Sequence, residues 1–208
     1  MAYVLGFFAA DGNIVKTNRD THFLSFYSSD QNLIENIRTI MKSEHKISKR
    51  NYKGGECFRL QIGSREMFQD LLYLGITVNK SRRMRVPCVP SKYTNDFVRG
   101  YFDGDGNVWT GLINKKTSNP HMVLQVAFTS SSTKFLLDFL ELLRCLGVSK
   151  GAIYPVKENN CSRLQLSTLD ALKLYKIMYN VPHRLSLSRK KLVFEKFIKL
   201  RCDRSSTG

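Results

Sequence analysis

The chain repeats itself, and that fact limits its fold more than any other. Residues 2–14 read AYVLGFFAADGNI and residues 96–108 read DFVRGYFDGDGNV. Each holds an apolar run with one glycine, then a small residue, Asp, Gly, Asn and a β-branched residue. Asp11 and Asp105 align at an offset of 94. LSFYSSDQNLIENI (24–37) then matches VAFTSSSTKFLLDF (126–139) at an offset of 102, and CFRLQIGS (57–64) matches CSRLQLST (161–168) at 104. Three matches in one order mean a duplication, with the growing offset absorbed by loop insertions such as Lys115–His121. The two halves are 1–90 and 91–202, followed by a tail at 203–208. A strap at 76–93, carrying Pro87 and Pro90, joins them and reads as ordered.

Each half parses alike. A short apolar helix ends at the Asp-Gly turn, and two strands follow, at 13–18 with 21–28 and at 107–114 with 122–130. Leu33, Ile34, Ile37 and Met41, and then Leu136, Phe139, Leu140 and Leu143, recur at helical spacing. Ser29 or Asp30, and Ser131 or Ser132, are natural N-caps, with Gly147 at a C′ position. A second strand pair ends at Ile62 or Leu166, and a further helix closes each half. The fold class is therefore α+β, with the order αββαββα twice.

Gly6 and Gly100 sit inside their helices, where glycine costs roughly 1 kcal/mol relative to alanine. Four residues later stand Ala10 and Gly104, giving each helix a stripe of small residues that lets two backbones approach closely. Packed on each other about a pseudo-twofold axis, the two helices would bring Asp11 and Asp105 together. Two carboxylates at helix C-termini repel each other and face the negative ends of their own dipoles. A hard divalent cation such as Mg²⁺ relieves both penalties. DGDGN is no calcium loop, because counting from Asp103 puts Val108 where that loop needs Gly and Asn114 where it needs Glu.

Charge narrows the partners. Lys and Arg number 33 against 17 Asp and Glu, for a net charge of +16. Such an excess suits a polyanion, with nucleic acid ahead of an anionic membrane surface. No apolar run approaches the ~20 residues of a membrane span. The five cysteines lack a CxxC pair and read as reduced and mostly buried or incidental, in a reducing compartment, prokaryotic cytoplasm or organelle.

VLGFFAADG (4–12) and VRGYFDGDG (98–106) resemble the paired signatures of the LAGLIDADG homing endonucleases, and the resemblance extends over nearly the whole chain. It implies two pseudo-twofold-related repeats whose antiparallel sheets form a DNA-binding saddle. It also implies a monomer that uses a divalent cation, Mg²⁺, to cut both strands of a long duplex and leave short 3′ overhangs. By the same resemblance Asp11 and Asp105 are the metal acids, helped by the carbonyls of Ala10 and Gly104, while Gly6 and Gly100 serve the helix interface. The sixth signature position, Asp103 in one copy and Ala9 in the other, is not a metal position. NKS (79–81) and SRK (188–190) resemble the family's late basic sites, which puts forward Lys80 and Lys190. Gln125 fills the polar strand position that orients water, where the first half has Phe23. No splicing residues frame the chain, which reads as free-standing and intron-encoded. An RNA-binding intron maturase and a non-cleaving DNA-binding regulator are the alternatives, with intron RNA the partner of the first.

Period-two alternation sorts the strands. Phe58, Leu60 and Ile62 face inward and Arg59 and Gln61 outward; Leu164 and Leu166 face inward and Arg163 and Gln165 outward. Gln125 and Ala127 belong to the outward set of their strand. Arg suits guanine and Gln suits adenine in a major groove. Lys49, Arg50 and Lys53, and Lys115 and Lys116, are expected in turns, where they suit phosphate contact. Phe7, Phe8, Tyr101 and Phe102 read as core, and Trp109 as either core or contact.

Overall fold

A computed structural model of the chain describes residues 1–52, 55–78, 82–114, 120–156 and 160–205. Its elements fall into the duplicated order. The first series is α1 (Ala2–Asp11), β1 (Asn13–Lys16), β2 (His22–Ser28), α2 (Gln31–Ile40), β3 (Ile47–Tyr52), β4 (Gly55–Gly63) and α3 (Arg65–Tyr73). The second is α4 (Thr94–Asp105), β5 (Gly106–Ile113), β6 (His121–Ser130), α5 (Thr133–Cys145), β7 (Ala152–Val156), β8 (Cys161–Leu166) and α6 (Thr168–Tyr179), with α7 (Ser188–Ser205) after it. Two four-stranded antiparallel sheets result, ordered β1-β2-β4-β3 and β5-β6-β8-β7. The described chain divides into two compact units, Met1–Asp105 and Gly106–Gly208. Helix α4 falls in the first unit because it packs along α1.

The first unit is built around α1, which is apolar on all sides and buries Tyr3, Val4, Phe7, Phe8 and Ala9. Such a helix cannot lie on a surface and must be enclosed. Phe8 meets Phe26 of β2 edge to face at 5.0 Å. Helix α2 lays Leu33, Ile34 and Ile37 on the sheet, started by Asp30, whose Oδ1 accepts from the Leu33 amide at 3.0 Å. Ser64 starts α3 in the same way, accepting from the Met67 amide at 3.1 Å. Caps of this kind contribute about 1 kcal/mol each. Gly75, at φ +82°, ends α3 while the Ile76 amide donates to Leu71 O at 2.8 Å. That 6→1 bond seals the helix and drives Ile76, fully buried, into the core. Of the strap, Met84 is buried and Ser91–Tyr93 form a 3₁₀ turn that leads into α4.

The second unit repeats these devices at shifted places. Ser132, not Ser131, caps α5 and accepts from the Phe135 amide at 3.2 Å. Phe135, Leu136, Phe139, Leu140 and Leu143 form its buried face. Gly147, at φ +104°, takes the C′ position expected of it, with Val148 N donating to Leu143 O at 3.0 Å. Helix α7 buries Phe194 and Phe197 and sets the Phe194 ring at a tilt to Tyr175, centroids 5.4 Å apart. No described helix is long and apolar enough to cross a membrane.

Two expectations need correction. Lys49 and Arg50 lie within β3, not in a turn, because the β3–β4 ladder pairs Ile47 through Tyr52 with Leu60 through Gly55. Lys49 pairs there with Glu56 and sits 5.9 Å from the Phe58 ring centroid. None of the five cysteines is buried: Cys57 and Cys161 are half-buried on outward strand positions, and Cys88, Cys145 and Cys202 are exposed. Ala127 keeps the outward register but is only 5% exposed, since a methyl group lies below the longer side chains beside it.

Candidate functional site

The small-residue stripes act at the contact between α1 and α4. A Cβ at Gly6 would lie 2.1 Å from Phe97 O and 2.8 Å from Tyr101 N; one at Gly100 would lie 2.0 Å from Tyr3 O and 2.9 Å from Phe7 N. Backbone therefore touches backbone, and only glycine fits. The pairings advance together, Tyr3 with Gly100, Gly6 with Phe97 and Tyr101, and Ala10 with Gly104, so the helices run in the same direction and finish at one end. There a Cβ on Gly104 would lie 2.3 Å from the Ala10 Cβ and 3.4 Å from Asp11 Oδ2. The Asp11 carboxylate thus sits beside the residue that immediately precedes Asp105. Asp11 is exposed and Asp105 half-buried, each the last residue of its helix.

This arrangement suits a hard cation. The donors at the paired helix ends are two carboxylates and the carbonyls of Ala10 and Gly104, all oxygen, and both helix dipoles add negative potential. The missing side chain at Gly104 lets the Ala10 methyl close against α4 and brings Asp11 alongside. Among the described residues no three His, Cys, Asp or Glu side chains gather where they could hold a metal. A cation here would be held by two acids, backbone and the oxygens of whatever it acts on, as Mg²⁺ tolerates.

The difference between the two copies has a packing cause. Asp103 is 2% exposed and accepts from Tyr3 Oη at 2.7 Å. The α4 residue that corresponds to Tyr3 is Phe97, which has no hydroxyl to donate, and the α1 residue that corresponds to Asp103 is Ala9, also buried. The acid is present where a tyrosine faces it and replaced where that tyrosine is a phenylalanine. Arg99 completes the cluster: 1% exposed, it pairs with Asp96 and lies 5.5 Å from the Tyr3 ring centroid. Sequence reading missed Tyr3 and Arg99, which look like ordinary members of an apolar and a basic series.

In the second unit Lys190 is buried, and its Nζ donates to Gly106 O at 2.6 Å, on the residue that follows Asp105. Gln125, Arg163 and Gln165 line one cleft of about 260 Å³ on the outer face of β5-β6-β8, together with Asn107, Trp109 and Ala127. Trp109 is 46% exposed, so it belongs to that face and not to the core. Arg59 and Gln61 are half-buried on the outer face of the first sheet, where Arg59 lies 6.0 Å from the Tyr27 ring centroid. Phe58, Leu60, Ile62, Leu164 and Leu166 point inward, as the alternation requires. Lys80, Lys53, Lys115 and Lys116 lie outside the described residues.

Comparison with known proteins bears on this geometry. The family model of the LAGLIDADG-like domain matches residues 1–74 and again 92–177. The chain belongs to the LAGLIDADG family. No match emerged among curated protein sequences. Among solved structures, the LAGLIDADG homing endonuclease I-LtrWI bound to target DNA superposes with a TM-score of 0.64 at 14% identity, over 99% of this chain and 90% of that one. I-SmaMI, bound to uncleaved DNA in the presence of calcium ions, gives 0.59 at 14% identity, over 86% and 84%. I-DmoI, in complex with DNA and Mn, gives 0.59 at 15% identity, over 88% and 97%. At such identity the likeness is one of fold: LAGLIDADG endonucleases share the two four-stranded sheets and the helix order found here.

Proposed function

We propose that the chain is a site-specific homing endonuclease that hydrolyses phosphodiesters in both strands of a long double-stranded DNA target and leaves short 3′ overhangs. The observation that carries this reading is the place of Asp11, beside Gly104 where two close-packed helices end, with Asp105 the next residue of the second helix. A protein that only binds has no use for acids held together at two negative helix ends, which argues against both a regulator and a maturase. I-SmaMI and I-DmoI, solved with DNA and a divalent ion, support the same assignment.

Asp11 and Asp105, with the Ala10 and Gly104 carbonyls, would hold the divalent cation, Mg²⁺ by preference. Bound there, such an ion polarises a phosphoryl oxygen and lowers the pKa of an attacking water. The chain's own groups do the rest. The Lys190 ammonium, which donates to Gly106 O, would supply positive charge against the negative charge that develops on the phosphate. Lys80 takes the equivalent part for the first repeat, and Gln125 orients water in the second. Arg59, Gln61, Arg163 and Gln165 address base edges, while Arg50, Lys53, Lys115 and Lys116 contact phosphate; Lys49, opposite inward-facing Phe58 and paired with Glu56, is not part of that face. One chain carries both repeats and works as a monomer. Cysteines without a CxxC pair suit a reducing compartment, cytoplasm or organelle.

The test is cleavage of a randomised duplex library in Mg²⁺. We expect Asp105→Asn and Asp11→Asn each to abolish cutting while DNA retention stays intact, and chelation of the metal to do the same. Sequenced ends give the overhang. Retention of duplex with no cutting by the unaltered protein would indicate a regulator, and tight intron-RNA binding with no duplex cut a maturase.

A further inference from the structure

The strand registers bear on which base pairs the sheets address. In the first sheet Asn13 stands opposite Ser25, and Ser25 opposite Gln61. In the second, Asn107 stands opposite Ala127, and Ala127 opposite Gln165. The two rows read Asn-Ser-Gln and Asn-Ala-Gln, and each asparagine comes two residues after its repeat's acid. The central residue is small and buried in both, Ser25 at 2% and Ala127 at 5% exposed. The flanking asparagines are exposed and the glutamines half-buried. Neighbouring rows on the same faces centre on arginine, Tyr27-Arg59-Ser48 and Thr129-Arg163-Tyr154.

The arginines share one more property. Nε of Arg59 and Nε of Arg163 are both buried without a hydrogen-bond partner. A buried donor left unsatisfied is costly. Meeting the same orphan at equivalent places on two sheets suggests a guanidinium that completes its bonds only when an outside acceptor draws it out. The amides of Asn and Gln match adenine N6 and N7, and guanidinium matches guanine O6 and N7. Two sheets offering the same amides and the same arginine in the same register offer the same base preference.

We propose that the two sheets read one shared purine-bearing motif, through Asn13, Gln61 and Arg59 on the first and Asn107, Gln165 and Arg163 on the second, so that the target holds this motif twice. The flanks of the two copies differ. Beside the shared row the first sheet sets Val15 opposite Phe23, an apolar pair suited to a thymine methyl. The second sets Trp109 opposite Gln125, an indole beside an amide. The Trp109 ring covers Gly111, where a Cβ would lie 2.3 Å from it, so the indole is held in place on the face. Tyr154 Oη also donates to Gln165 Oε1, which turns the amide before any base arrives; the first sheet has Ser48 at that position.

This inference rests on the endonuclease reading, and one experiment separates the two. A randomised duplex library is cut in Mg²⁺, or retained on the protein in Ca²⁺, and the recovered sequences are compared for the unaltered protein, Gln61→Ala, Gln165→Ala and Trp109→Ala, each checked for folding by its thermal melt. The unaltered protein should recover targets holding one motif twice. Gln61→Ala should relax preference by roughly 5- to 150-fold at one position of one copy. Gln165→Ala should do so at the matching position of the other copy, and Trp109→Ala only at a flank of that copy. Targets without a shared motif, or glutamine variants acting at unmatched positions, would overturn the inference and leave nuclease activity standing. Recovery of no duplex by either route would overturn both readings.

Discussion

Replacing Gly100 by alanine tests the helix contact on which the acidic site depends. The new Cβ would meet Tyr3 O at 2.0 Å and Phe7 N at 2.9 Å. Ordinary contact needs about 3.5 Å, so α1 must retreat by on the order of 1 Å. Both obstructing atoms are backbone and cannot turn aside as a side chain would. Overpacking of this kind costs ~1–3 kcal/mol, and rigid neighbours place it at the upper end. Alanine regains about 1 kcal/mol of helix propensity. The net is a loss of about 2 kcal/mol, read as a lower urea midpoint with an unchanged slope. Gly6→Ala meets Phe97 O at 2.1 Å and should cost a similar amount, yet the double variant should cost less than the sum, since one separation relieves both clashes. Cutting should fall further than stability, by about 100-fold, because a 1 Å displacement of Asp11 from Asp105 spoils a reacting geometry. A Gly100→Ala protein as stable as the original, or more so, would refute the backbone contact and with it the convergence of the acids.

Two further outcomes are expected. Tyr3→Phe removes the hydroxyl that donates to Asp103 and should cost ~1–3 kcal/mol in urea unfolding. Adding Asp103→Ala copies the Phe97 and Ala9 combination of the other repeat positions and should restore part of that loss; a double variant worse than the sum of the singles would contradict the pairing. Salt dependence measures the phosphate contacts of a chain with net charge +16. Neutralising 6–10 phosphates should weaken DNA retention by roughly 10³–10⁵ between 50 and 200 mM salt, and a flat response would exclude a phosphate-dominated interface.

Much of this molecule was legible in the sequence because its signals are local and doubled. The strands of CFRLQIGS and CSRLQLST announce their inward faces by alternation, and the burial of Phe58, Leu60, Ile62, Leu164 and Leu166 follows it. Gly6 and Gly100 were readable because an interior helical glycine needs a reason, and each had a twin. The turn expected around Lys49 and Arg50 was misplaced because a hairpin's length depends on how far its ladder pairs, and ISKRNY carries no glycine or proline to mark an early end. Asn13 and Asn107 were visible in both DGN stretches but had no assigned part until the registers set them beside Gln61 and Gln165.

The sequence by itself determined the duplication, the order of helices and strands, and the two acids that end equivalent helices. Those are properties of neighbours along the chain, where periodicity and turn chemistry act directly. The tertiary structure decided what meets between residues far apart in the chain: Tyr3 on Asp103, Gly6 against Phe97, and Asp11 beside Gly104. It also decided which outward side chains share a row. Contacts of that kind depend on how close two helices come and which residues two strands pair, and both are settled only when the whole core closes.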